Sequence, residues 1–117
     1  MNIANAETAL TRFVADRCGM AVNAEVFQGE LPPSTTGAAV RFTAGHAAGE
    51  NLAEFTAEIV AAFDEPGDAR AFADALWRNL PACNVLNLVR IAAAGEIKFA
   101  VSGGKYTVTG ALSVAFC

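Results

Sequence analysis

Apolar residues recur along this chain with two different periods, and each change of period marks the edge of an element. From Asn5 to Cys18 the apolar positions Ala6, Leu10, Phe13, Val14 and Cys18 return at helical spacing, which lays them along one stripe of an amphipathic helix. Glu7, Arg12, Asp16 and Arg17 fall mostly off that stripe. Asn5 is placed to accept from the free first-turn amides, and Gly19 can take the left-handed conformation that ends a helix.

Met20 to Gln28 is enriched in Val and Phe and reads as a strand, stopped by Gly29-Glu30-Leu31-Pro32-Pro33, because paired prolines halt both helix and central-strand pairing. Ser34 to Gly37 is a polar hinge. Ala38 to Thr43 then alternates as a second strand, expected to pair antiparallel with the first. Thr43 to Asn51, with Gly45, His46, Gly49, Glu50 and Asn51, reads as a mobile loop. Beyond it Phe55, Ala57, Ile59, Ala61 and Phe63 alternate with Thr56, Glu58, Val60, Ala62 and Asp64, a half-buried strand.

Glu65-Pro66-Gly67-Asp68 breaks that strand, with Asp68 placed to cap a second helix. Ala69, Phe72, Ala73, Leu76, Trp77 and Leu80 form its apolar face and Pro81 closes it. Asp74 and Arg78 on the opposite side are spaced for a surface ion pair. The remainder carries β signals: Val85 to Ala92, a turn at Ala94-Gly95, Ile97 to Val101, a tight Ser102-Gly103-Gly104-Lys105 turn, and Tyr106 to Phe116. Gly110 interrupts the last alternation and marks a bulge or a close approach by another backbone. These elements predict an α+β fold, a mostly antiparallel sheet of about five to six strands packed by two amphipathic helices, in one domain spanning residues 1–117.

Composition adds a reason to expect assembly. Of the 117 residues 54% are hydrophobic and only 17% charged, and a chain this short leaves much of its surface outside its own core. The surplus of Ala, Val and Phe therefore points to apolar area covered by partner chains. A net charge of −4 argues against a general attraction to nucleic acid or anionic lipid. The longest candidate membrane span, Val85 to Val101, is interrupted by Asn87, Arg90, Glu96 and Lys98. The first residues carry no basic segment followed by a long apolar one, so an internal, reducing compartment is the expectation. The scattered Cys18, Cys83 and Cys117 fit free thiols.

Candidate chemistry is sparse. The one histidine, His46, lies in the Gly-rich segment, and a pairing with Cys83 or Cys18 is the only nucleophile–base combination to weigh. No cysteine or histidine spacing makes a zinc ligand set, and no metal or cofactor is expected. Gly103-Gly104-Lys105 fails the phosphate-loop pattern, since Phe99 and Tyr106 stand where Gly and Ser or Thr are needed. Glu50, Glu54 and Glu58 read as the polar side of a strand rather than as ligands for a hard cation. Trp77 continues the apolar stripe as a core residue, with an interface anchor as the other reading. Arg41, Arg70, Arg78 and Arg90 are surface charges whose importance rises if copies of the chain come together. Phe27, Phe42, Phe55 and Phe99 as a platform for single-stranded RNA would need a basic groove that this acidic chain does not offer.

The stretch Val26-Phe27-Gln28-Gly29-Glu30-Leu31-Pro32, the strand Gly37 to Phe42, the helix ending Leu80-Pro81 and the hairpin Gly103 to Val108 occur here in the order helix, two strands around a proline turn, long strand, helix, closing strands. Over nearly the full chain this arrangement resembles the minor capsid and tail-terminator (tail completion) proteins of long-tailed bacteriophages and prophages. The resemblance implies a non-enzymatic subunit that forms a homo-oligomeric ring, typically a hexamer, in the virion tail. The ring would sit at the head-proximal end of the tube, end its polymerisation, and contact the tail-tube protein on one side and a head-completion or connector protein on the other. Relatives often carry a basic residue near the end of the long central strand, where this chain has Ala61, Ala62 and Phe63, so no such role is carried over. The interface candidates are Arg41, His46, Glu50, Asn51, Arg70, Trp77 and Arg78. A rival reading places a small-molecule pocket or a cysteine-dependent site between the second helix and the sheet, with Trp77 as a wall and Cys83 as the reactive group.

Overall fold

The computed structural model describes residues 1–117 as two helices and six strands, an α+β arrangement built on one curled mixed sheet. Helix α1 spans Ile3–Cys18 and ends on Gly19 with φ 65°. Its cap is Asn2, whose side chain accepts from the Asn5 amide, so Asn5 is the donor at this end and not the capping acceptor expected from the sequence. Strand β1 is only Val26–Gln28. The expected strand from Met20 is a turn instead: the amides of Ala24, Glu25 and Val26 all turn back to the Ala21 carbonyl, and Asn23 supplies the left-handed residue at φ 65°.

Strand β2 runs Gly37–Gly49 and pairs with β1 in parallel, not antiparallel. A parallel neighbour needs a crossover, and because β1 is about 10 Å long the segment Gly29–Thr36 suffices to return the chain to its starting level. Strand β3, Leu52–Phe63, pairs antiparallel with β2 from Gly37↔Ala62 to Gly49↔Leu52. The mobile loop expected at Thr43–Asn51 is therefore mostly strand, and the turn shrinks to Glu50-Asn51 with Asn51 at φ 60°. Gly45 belongs here because a Cβ at this position would collide with the Phe55 ring lying across it.

Helix α2 is Pro66–Trp77, starting on Pro66 with no side-chain cap; Asp68 sits inside the first turn, where its charge suits the helix dipole, rather than at the cap. It ends three residues before Leu80, and Asn79 takes φ 64°. Strand β4, Ala82–Val85, turns at Leu86-Asn87, both left-handed, into β5, Leu88–Ser102. The predicted turn at Ala94-Gly95 is a bulge inside β5, where the pairing jumps from Ala94↔Ala111 to Lys98↔Thr109. Strand β6, Lys105–Phe116, follows the predicted two-glycine hairpin, with Gly103 at φ 57° and Gly104 at φ 77°. The sheet order is β1-β2-β3-β6-β5-β4.

Both helices lie on one face. Leu10, Phe13 and Val14 of α1 and Phe72, Ala73 and Leu76 of α2 close over Val40, Ile59, Ala61, Ile91, Val108, Leu112 and Val114, and the buried residues form one cluster. Phe42, Phe55 and Phe116 extend it along the same face, with ring centroids 5.0 to 6.2 Å apart. The other face carries Arg41, Thr56, Glu58, Ala62, Thr107, Thr109, Ala111 and Ser113, small or polar residues with no helix over them.

Candidate functional site

A strand in the interior of a sheet has hydrogen-bonding neighbours on both sides, and two long strands here do not. β1 covers β2 only at Ala38–Val40, and just beyond it the Glu7 carboxylate takes the Phe42 amide at 2.9 Å. From Thr43 to Gly49 the outer edge of β2 is open and every residue is exposed. On the opposite margin β4 covers β5 only as far as Ile91, and Gly95 to Ser102 is exposed throughout. The two open edges thus lie on opposite margins and toward opposite ends of the sheet. Such edges are templates for pairing with another chain unless charge, proline or a covering segment blunts them.

The edge of β5 also carries an apolar row. Ile97, Phe99 and Val101 project beside α2, and Phe99 and Val101 are 49% and 68% exposed. The Arg70 guanidinium stands 5.6 Å from the Phe99 ring centroid, and Arg78 bonds Asp74 at 2.6 Å alongside, the ion pair that the spacing predicts. Arg70, Trp77 and Arg78 therefore gather on this margin. Arg41, His46, Glu50 and Asn51 gather on the other: Arg41 pairs with Glu58 at 2.9 Å, His46 Nε2 lies 3.5 Å from Glu54, and Glu50-Asn51 forms the turn at the tip. The structure does not bring the two groups together within the chain.

Trp77 is half-buried. Its ring fills the space over Gly110, where a Cβ would come within 2.5 Å, and its indole N–H donates to the Ala111 carbonyl at 3.1 Å. Gly110 thus marks a close approach by a side chain, not by another backbone. Ile97 and Val101 are surface residues that sequence reasoning missed, and Phe99 enters it only as part of the aromatic platform. Their alternation is plain, but whether such a row is buried depends on how far β4 reaches along β5, and periodicity carries no information about that.

The nucleophile–base pairing does not assemble. The register aligns Cys83, Arg90, Ala115, Glu54 and His46 in one row across five strands, which separates Cys83 from His46 by roughly 19 Å measured along the sheet. Cys18 lines a hollow of about 500 Å³ with Met20, Glu25, Thr36, Asp68 and Phe72, between the end of α1 and α2. Burial there pushes its thiol up to about 11 despite the neighbouring Arg17, the reverse of what a nucleophile requires. Neither Trp77 nor Cys83 lines this hollow, contrary to the pocket reading of the sequence. The aromatic platform is not formed either, since Phe42 and Phe55 are committed to Phe116. No three of the His, Cys, Asp and Glu side chains lie close enough to share a metal ion. Lys105 binds Asp64 at 2.6 Å and Thr36 at 3.1 Å, and its hydrogen bond and charge hold the Asp64 carboxyl below its usual range. Comparison of the chain with family models and with curated proteins returned no match.

Proposed function

We propose that this chain is a non-enzymatic structural subunit of a bacteriophage or prophage tail. In this reading it forms a homo-oligomeric ring, typically a hexamer, that ends the tube at its head-proximal side and joins tail to head. The supporting observation is the pair of open strand edges on opposite margins of one sheet. A closed ring requires a heterologous interface, in which each subunit offers two different surfaces and the rotation between neighbours closes. Two unlike edges, one with an apolar row on its helix-covered face beside the Glu96–Lys98 ion pair and one made mostly of small residues, meet that requirement, whereas a twofold dimer would use only one.

The order of elements adds the resemblance to tail-terminator proteins, with four antiparallel pairings and a single short parallel one. The partners are then the tail-tube protein and a head-completion or connector protein, and the place of action is the virion tail, assembled in the bacterial cytoplasm. Light scattering on the purified chain at high concentration, alone and with the tail-tube protein of the same phage or prophage, tests the proposal. Ring-sized particles in either condition support it, and a persistent monomer in both contradicts it.

A further inference from the structure

The two open edges fit each other, and we infer that the ring is closed by strand pairing between them: Gly95–Val101 of β5 in one copy lies antiparallel to Thr43–Gly49 of β2 in the next. This interface deepens the ring reading and rests on it. Along β2, β3, β6 and β5 the strands alternate, so β5 runs opposite to β2, and a ring rotation brings them side by side as an antiparallel pair.

Each stretch is also bounded at the same places. One end of the β2 edge is closed by Glu7 and β1 and the other by the turn at Glu50-Asn51; the β5 edge is bounded by the Gly103-Gly104 turn and the bulge at Gly95. Matching the two stretches sets Phe99 opposite Gly45, Ile97 opposite Ala47 and Lys98 opposite His46. Phe99, Ile97, Gly45 and Ala47 all lie on the helix-covered face, so large side chains of one edge meet small residues of the other. Phe99 would cover Gly45 from one side as Phe55 already does from the other.

The stagger agrees with closure. Within one subunit, Phe99 stands level with Ala38 through Val108 and Ala61, so meeting Gly45 of the next copy shifts that copy by about six residues, roughly 20 Å. The lateral step is four strands, roughly 19 Å, which tilts the strands about 45° from the ring axis, close to the tilt of closed barrels. On the bare face Thr43, Thr56, Glu58, Lys98 and Thr109 line a groove of about 340 Å³, and the inferred ring closes around that face. Closure in that sense puts both helices outside and the small, polar face toward the lumen.

Cysteine cross-linking tests the pairing. In a chain carrying Cys18→Ala, Cys83→Ser and Cys117→Ser, Ala47→Cys and Ile97→Cys are introduced singly and together and oxidised under conditions where light scattering reports the assembly. Facing residues of an antiparallel pair are near enough for a disulfide. The expected result is a dimer from a mixture of the two single variants, none from either alone, and a ladder from the double variant. Val101→Lys, at a position where the isolated subunit has room for the charge, is expected to reduce that cross-linking at least tenfold while leaving the thermal midpoint of the monomer within a few degrees. Ring-sized particles with no cross-link between the mixed variants would overturn the edge pairing and leave the ring reading standing. Self-linking of Ile97→Cys alone would replace it with a twofold contact. A monomer with or without tail-tube protein would end both.

Discussion

Gly110 and Trp77 form a tightly specified contact. The ring occupies the volume where any side chain at position 110 would begin, and the indole N–H finds its acceptor one residue further on. Gly110→Ala is expected to destabilise the fold by about 1–3 kcal/mol through overpacking, measured by urea unfolding. The same substitution in a Trp77→Leu chain should cost markedly less, because the clash is with that ring. The sequence marks Gly110 as either a bulge or a close approach by another backbone, since glycine weakens the interior of an alternating strand. It does not identify the partner, which comes from a helix more than thirty residues earlier and is met only after folding. Cys18 carries a pH-dependent prediction. Its thiol is raised from 9.0 to about 11, so the stability it contributes is complete below pH 9 and is lost as pH rises through about 11. Unfolding measured across that window should show a falling limb that Cys18→Ala flattens. At neutral pH its thiolate fraction is about 100-fold below that of an ordinary thiol, so alkylation in the native chain should be correspondingly slow against the unfolded chain.

At the scale of elements, turn chemistry decides what pattern leaves open. The two-glycine hairpin at Gly103-Gly104 is legible because both residues must take positive φ and both are glycine. The hairpin at Leu86-Asn87 has the same left-handed geometry, but Leu is a residue that rarely adopts it, so no local signal announces the turn. Leu86→Asn is expected to stabilise the chain by about 0.5–1 kcal/mol, read as a higher urea midpoint. Thr43–Asn51 misleads in the opposite sense. Its glycines and alanines suggest flexibility, yet they are small because Phe55 lies against Gly45 and because β3 pairs along almost the whole length. Glu7 reads as an off-stripe surface charge of the first helix. It in fact joins three elements, accepting from the Gln28 side chain at 2.9 Å and from the Phe42 amide of β2. Glu7→Ala should cost about 1–2 kcal/mol by urea unfolding and loosen the end of β2 where the open edge begins.

For the molecule as a whole, amphipathic periods specify one helix-covered face and one bare face, and this much is present in the sequence. The strand order is not, because β1 and β4 are three and four residues long and their reach along β2 and β5 depends on turns that carry weak signals. That reach is what leaves the outer edges of Thr43–Gly49 and Gly95–Val101 without a strand partner. In the proposed ring, the outward-facing backbone amides of these two segments find partners in a neighbouring copy. Hydrogen exchange followed by mass spectrometry on the assembled protein, compared with Val101→Lys at the same concentration, reads this directly. Protection of both segments in the assembly, lost from both together in the variant, is the predicted result; free exchange of both segments in particles of ring mass would contradict it.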